Sequence, residues 1–198
     1  MVIYLIGPCG SGKTSFAKWL TKKDNNFIHR DVDVVINATN PKLANHGGDR
    51  WPYYWCEVKK VCTQIEKDEE TGEPDLPRSM LLARKYMIDL GGGEIEIDNH
   101  DEGHPAYIFF KRKQNVLTIT RTPRECYEAV RKRQGTIWQD HSLDKFIATE
   151  FSEQRQRIYD LGHQCKNEGT LIEQAKINFE DVVHSIISSK GNTEPKLQ

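Results

Sequence analysis

The sequence predicts an α/β domain, a three-layer arrangement in which a parallel sheet is flanked by helices on both faces. Three observations carry this prediction. The run at 2–6 is continuously apolar and rich in β-branched residues, as a strand buried on both faces is, and 116–120 reads as a further strand. Stretches with apolar residues at every third or fourth position separate such runs and read as helices. Strands that alternate with helices in this way build a parallel sheet through right-handed crossovers.

The first strand, Val2-Ile3-Tyr4-Leu5-Ile6, enters a glycine-rich turn and then a helix over 14–22, where Phe16, Trp19 and Leu20 share a face. Phe27-Ile28-His29 predicts a second short strand, leading into Arg30-Asp31-Val32-Asp33. Residues 50–67 predict a helix, with Trp51, Tyr54, Trp55, Val58, Val61, Cys62 and Ile65 on a 3–4 repeat. The polar run 67–79 holds two prolines and a glycine and predicts a loop or insertion. Tyr86-Met87-Ile88-Asp89 predicts a third strand, closed by Gly91-Gly92-Gly93, whereas 94–114 fits the alternation least well and reads as a β-hairpin or a loop. After the fourth strand, Thr122-Pro123 is a helix start, an N-cap followed by proline at the first helical position. That helix runs to Arg133. Residues 145–165 predict another helix, Leu171-Ile172 a last strand, and 179–187 a closing helix. The expected organisation is a single domain over 1–187, with a small lid near 133–145 and a flexible tail over 188–198.

A chain of 198 residues can bury a core without disulfides or a structural metal. Its 28 Lys+Arg nearly balance 29 Asp+Glu, and a net charge of −1 excludes a global positive field for nonspecific nucleic-acid binding. No apolar run approaches the ~18 residues of a membrane helix. The opening MVIYLIG is too short for a signal-peptide core and lacks a basic start. The five cysteines, Cys9, Cys56, Cys62, Cys126 and Cys165, are odd in number and form no CxxC pair. They read as reduced thiols, and the expected location is the cytoplasm.

The segment Gly7-Pro8-Cys9-Gly10-Ser11-Gly12-Lys13-Thr14 satisfies G-x-x-x-x-G-K-[ST] between a strand and a helix, the context in which the pattern binds phosphates. Gly7, Gly10, Ser11 and Gly12 let consecutive N–H groups turn toward phosphate oxygens, and the helix that begins at Lys13, Thr14 and Ser15 adds its partial positive charge. Lys13 would bridge the β- and γ-phosphates of ATP, and the Thr14 hydroxyl would ligate Mg²⁺. No N-K-x-D guanine-reading motif occurs, and the length leaves little room for the lid domain of a ring ATPase. A small kinase remains.

Asp31 and Asp33 follow the second strand, where open α/β sheets form their ligand crevice. Read as extended chain, D-x-D points both carboxylates the same way. One could then help to hold Mg²⁺ while the other accepts a proton from an acceptor hydroxyl. Helix capping is the plainer alternative. Asp89 ends an apolar strand, the placement from which a carboxylate reaches Mg²⁺ directly or through water. Gly91-Gly92-Gly93 lets a ligand approach the backbone, or is simply a flexible turn. Arg131-Lys132-Arg133 ends a helix, where cations suit the dipole regardless of function. As part of a lid over 133–145, hinged at Gln134-Gly135-Thr136, it would bring positive charge to the transferring phosphoryl group and exclude water. Of Arg155 and Arg157, spacing does not choose which faces the crevice.

In order and spacing these landmarks resemble shikimate kinase, a small P-loop kinase of the nucleoside-monophosphate-kinase fold. The resemblance rests on G-P-C-G-S-G-K-T at 7–14, D-V-D at 31–33, L-G-G-G at 90–93, the segment 115–133 and R-x-x-I-Y at 155–159. It spans roughly 2–187. It implies Asp33 as acceptor-binding residue and base, Asp31 as a water-mediated Mg²⁺ partner, and Gly92 and Gly93 at the acceptor. It also implies Arg155 on an acceptor carboxylate and Arg131 or Lys132 at the adenine; the basic cluster itself offers Arg133 as the catalytic cation beside the lid, with the choice of lid arginine left open. Shikimate kinases carry a substrate-clamping arginine in the helix after D-x-D. This chain has Trp51-Pro52-Tyr53-Tyr54-Trp55-Cys56-Glu57, with Arg50 the only arginine nearby. Their lid arginine has no counterpart in Gly135-Thr136-Ile137-Trp138-Gln139, and R-x-P-L-Y has become Arg155-Gln156-Arg157-Ile158-Tyr159.

The expected activity is therefore ATP-dependent phosphoryl transfer to a hydroxyl of a small molecule, with Mg²⁺. The alternative acceptor is a nucleoside, nucleotide or nucleic-acid hydroxyl, as in polynucleotide or modified-base kinases. His29-Arg30-Asp31 resembles the R-D of polynucleotide kinases, and the aromatic stretch 51–55 suits stacking on a base. The balanced charge weighs against nucleic acid.

Overall fold

The computed structural model describes residues 2–23, 25–39, 51–71, 85–90, 105–133 and 137–167. Five strands form one all-parallel sheet in the order β2-β3-β1-β4-β5: β1 (Val2–Ile6), β2 (Phe27–Asp31), β3 (Lys85–Asp89), β4 (Val116–Thr120) and β5 (His163–Lys166). The helices are α1 (Lys13–Lys23), α2 (Val32–Thr39), α3 (Trp51–Thr71), α4 (Pro105–Lys111), α5 (Pro123–Arg131), α6 (Leu143–Glu150) and α7 (Glu153–Tyr159), with a 3₁₀ turn at Ile137–Asp140. No described helix is long and apolar enough to cross a membrane.

The continuous apolar run of β1 is explained by its central place, since both of its faces are covered. Val2, Tyr4 and Ile6 join Ile36, Val58, Cys62, Phe110 and Ile158 on one side. Ile3 and Leu5 join Phe16, Ala17, Leu20, Leu117 and Ile119 on the other. Full burial of an aliphatic or aromatic side chain stabilises by about 1.5–3 kcal/mol, so these two clusters hold the layers together. The Tyr4 hydroxyl crosses to Glu66 of α3, and Lys113 closes on the same carboxylate at 2.5 Å. A third cluster, Cys126, Val130, Trp138 and Phe146, packs α5 against α6.

Thr122 caps α5 as expected: its Oγ1 accepts the Glu125 amide N–H, and Glu125 accepts in return from the Thr122 backbone. Two expectations are corrected. The segment 145–165 is not one helix, because Phe151 leaves helical geometry and the Ser152 hydroxyl accepts the Arg155 N–H at 3.4 Å to start α7. The end of that span instead enters β5, His163–Lys166, where only Cys165 is buried and no apolar run marks the strand. Pro105–Lys111, inside the segment read as a hairpin or loop, is a helix that buries Ala106 and Phe110 four residues apart. The insertion is helical up to Thr71. Its remainder, 171–172, 179–187 and the tail lie outside the described residues.

Candidate active site

β1 delivers the chain into the glycine-rich loop at the carboxyl edge of the sheet, and α1 begins at Lys13. Gly10 and Gly12 have φ of +84° and +104°, a region that disfavours any side chain. A Cβ on Gly10 would lie 2.3 Å from the Cys126 carbonyl oxygen, and one on Gly12 would lie 2.6 Å from Asn167 Nδ2. The loop is thus held from two neighbours. Asn167, just past β5, donates to the Ser11 carbonyl at 2.7 Å, while its own N–H reaches the Thr120 carbonyl. On the α6 side, the Cys9 N–H donates to Glu150 Oε2 at 2.9 Å. Glu150 pairs at 2.8 Å with Arg155, and both side chains are almost fully buried. Lys13 is buried within the loop, its Nζ donating to the carbonyls of Gly7 and Pro8 at 2.8 and 3.2 Å. Ser11 is buried, Thr14 half-buried and Ser15 exposed on the first turn of α1. Burial pushes the Cys9 thiol up, and Glu150 adds to this against Lys13, Arg133 and Arg155.

The acidic residues meet through sheet register. Asp31 and Asp89 are paired across β2 and β3, so their side chains leave the same face. His29 lies two residues before Asp31 and shares that face. The ligand atoms of His29, Asp31 and Asp89 all lie within 4.8 Å of one another, and His29 Nε2 is 3.5 Å from Asp89 Oδ2. Burial pushes the Asp89 carboxyl up, but the His29 imidazole, the Lys13 ammonium and the Thr14 hydroxyl outweigh it and hold the group below the ordinary carboxylate range. Asp31 is raised by burial and by the charges of Asp89 and Asp33, against the Val34 amide and His29.

The D-x-D segment is not extended. Asp31 ends β2 and accepts the Val34 N–H at 3.2 Å, capping α2, while Asp33 is exposed in the first helical turn. The helix turns Asp33 away from the direction that a strand would have given it. Arg131, Lys132 and Arg133 are exposed at the end of α5, and Arg131 stacks over Tyr127 with 5.5 Å to the ring centre. Arg155, expected at an acceptor carboxylate, is committed to Glu150 inside the fold. Gly92, Gly93 and the proposed hinge 134–136 lie outside the described residues. Sequence reasoning missed His29, Glu150 and Asn167. Period two from Asp31 would have put His29 on the same face, whereas nothing local marks the other two.

No family model matches the sequence, and no curated protein matches it. Solved structures do. Shikimate kinase from Acinetobacter baumannii in complex with shikimate aligns with a TM-score of 0.63 at 16% identity, covering 96% of this chain and 94% of that one. Shikimate kinase from Aquifex aeolicus aligns at 0.62 and 18% identity, over 96% and 98% of the two chains. The enzyme from Bacteroides thetaiotaomicron gives 0.59 and 19%, over 93% and 98%. At such identities the likeness is one of architecture: the chain has the P-loop kinase fold in which these shikimate kinases are built.

Proposed function

We propose that this protein is an ATP-dependent kinase that transfers the γ-phosphoryl group to a hydroxyl of a small molecule. The observation that carries the reading is the phosphate-loop geometry, Lys13 and Thr14 set against two strand-end carboxylates, Asp31 and Asp89. The amides from Gly10 to Ser15 and the α1 dipole would bind the phosphates, and Lys13 would swing from the Gly7 and Pro8 carbonyls to the transferring group. Thr14, Asp31 and Asp89 are the oxygen donors that Mg²⁺ takes, and Asp89 Oδ2 has no hydrogen-bond partner among the described residues. Mg²⁺ held there would supply charge neutralisation during in-line transfer. Asp33 would accept the acceptor proton, Arg133 would bring charge from the lid, and Arg131 or Lys132 would flank the adenine. Gly92 and Gly93 would contact the acceptor. Arg155 enters this reading as a positioning residue, acting through Glu150 on the Cys9 amide.

The test is ATP consumption across a panel of shikimate, nucleosides, nucleotides and oligonucleotides, with wild type and Lys13→Ala. One acceptor class should stimulate turnover, and Lys13→Ala should lose about 10²–10³-fold, as removal of a transition-state charge donor does. Equal turnover by the two proteins on every acceptor overturns the proposal.

One observation favours an anionic acceptor such as a nucleotide or a nucleic-acid end. A groove of about 1010 Å³ between α2 and α3 carries Arg30, Lys59, Lys60 and Lys67 around a wall that includes Val35, Val61 and Ile65, with Glu57 paired to Lys60 at 2.6 Å. Arg30 neighbours Asp31 on β2 but leaves the opposite face of the sheet, so the groove would meet the site only around the strand ends. Steep salt dependence with oligonucleotides would support this second reading, and selective use of a neutral hydroxyl compound would exclude it.

A further inference from the structure

We propose that His29, Asp31 and Asp89 form a binding site for a divalent first-row transition metal, of the Mn²⁺, Co²⁺ or Zn²⁺ class, that fills without nucleotide. The residues come together for a structural reason. Phe27, His29 and Asp31 alternate on β2 and project toward α1, with Phe27 packed among the α1 residues. Asp89 joins them from β3 by register. Their ligand atoms lie within 4.8 Å of one another. Metal–ligand bonds of about 2.0–2.2 Å span donors up to about 4.4 Å apart, so small side-chain rotations suffice to close the set.

The second observation is independent of that clustering. Asp89 Oδ2 and His29 Nε2 are buried, and apart from their own long pairing neither atom has a hydrogen-bond partner among the described residues. The Asp89 side chain is 4% exposed and faces the imidazole at 3.5 Å, longer than a good hydrogen bond. Buried polar atoms ordinarily find partners, and a cation between these two would satisfy both.

The imidazole decides the metal class. Mg²⁺ prefers oxygen ligands and is usually held by one or two carboxylates together with substrate phosphates. A mixed nitrogen and carboxylate set favours transition metals, and His Nε2 is their commonest nitrogen donor. The site shares Asp31 and Asp89 with the proposed Mg²⁺ position and adds His29 as a nitrogen donor, but it rests on the strand-end cluster and not on phosphoryl transfer.

The test is titration of the nucleotide-free full chain with Co²⁺, followed by visible absorption. We expect one equivalent to bind, a tenfold excess of Mg²⁺ to leave it in place, and His29→Ala and Asp89→Asn each to weaken it at least about tenfold. His29→Asn, which keeps a polar side chain of smaller size, provides a folded counterpart should the alanine variant not fold. X-ray absorption at the cobalt edge should show imidazole scattering in wild type and its loss in the His29 variants. Absence of binding, wild-type affinity in a folded His29 variant, or an all-oxygen shell in wild type each overturns the site. These readouts involve no ATP, so their failure leaves the kinase reading to its own experiment.

Discussion

Removing the Glu150 carboxylate should unlock the phosphate loop from beneath. Glu150 and Arg155 form an ion pair at 2.8 Å with side chains 3% and 4% exposed, and Glu150 also accepts the Cys9 N–H. Truncating one partner of such a pair leaves an uncompensated buried charge, at about 3–5 kcal/mol. The orphaned Cys9 amide belongs at the upper end of that range, since an unmade buried hydrogen bond costs ~1–3 kcal/mol. Folding free energies run about 5–15 kcal/mol, so Glu150→Ala stays folded with a large part of its margin gone. For a chain of this length, each kcal/mol moves the melting temperature by about 2–4 °C, which gives a drop of roughly 6–20 °C. Urea denaturation of Glu150→Ala, Arg155→Met and the double variant Glu150→Leu/Arg155→Met measures the coupling. The double variant removes both charges and should recover most of the loss, because apolar replacements of buried pairs are often neutral. Additive single costs, or an Arg155→Met variant that melts as wild type and weakens only acceptor binding, would refute this account. The second outcome would return Arg155 to the acceptor site.

Three further changes test other parts of the reasoning. Gly10→Ala puts a Cβ 2.3 Å from the Cys126 carbonyl at a φ of +84°, and the backbone term alone costs about 1–2 kcal/mol. Urea unfolding should show at least that loss together with weakened ATP binding, and an unchanged midpoint would contradict the loop geometry. Asp31 is raised by burial and by the neighbouring Asp89 and Asp33 charges, so the folded protein holds its proton more tightly than the unfolded chain does. Stability is then lost as pH rises from the ordinary carboxylate value of about 4 through the raised one, and the deficit persists above it. Asp31→Asn, which can still cap α2, should melt higher than wild type near neutral pH, an advantage that disappears near pH ~4. Equal shifts at both pH values count against the sign. Thr122→Ala dismantles the α5 capping box and should cost about 1 kcal/mol in thermal unfolding, with turnover per folded molecule unchanged.

The elements legible in the sequence are those whose signals are local and strong. β1 and β4 are central strands, and β1 reads as an unbroken apolar run while β4 is rich in β-branched residues. α5 carries a complete cap at Thr122-Pro123. β5 was missed because it is an edge strand in which only Cys165 is buried, so helical periodicity upstream ran through it unopposed. The break at Ser152 was missed because serine is tolerated within helices, and only the geometry of Phe151 shows that it caps one.

The site divides along the same line. The glycine loop is contiguous and could be read from its residues, but the acidic cluster is made by topology. Period two was applied to the wrong pair. Asp31 and Asp33 are separated by the start of α2, whereas Asp31 and Asp89, far apart in sequence, are brought level because β3 inserts between β2 and β1. That strand order places Asp89 beside Asp31 on one edge and beside β1, and therefore beside Lys13 and Thr14, on the other. The near-neutral total charge conceals this arrangement. A parallel sheet aligns every strand's carboxyl end at one edge, so charges dispersed along the chain converge there, with acids from β2 and β3 meeting the lysine that follows β1. His29 belongs to the cluster for the same reason, since any residue two positions before a strand-end carboxylate shares its face.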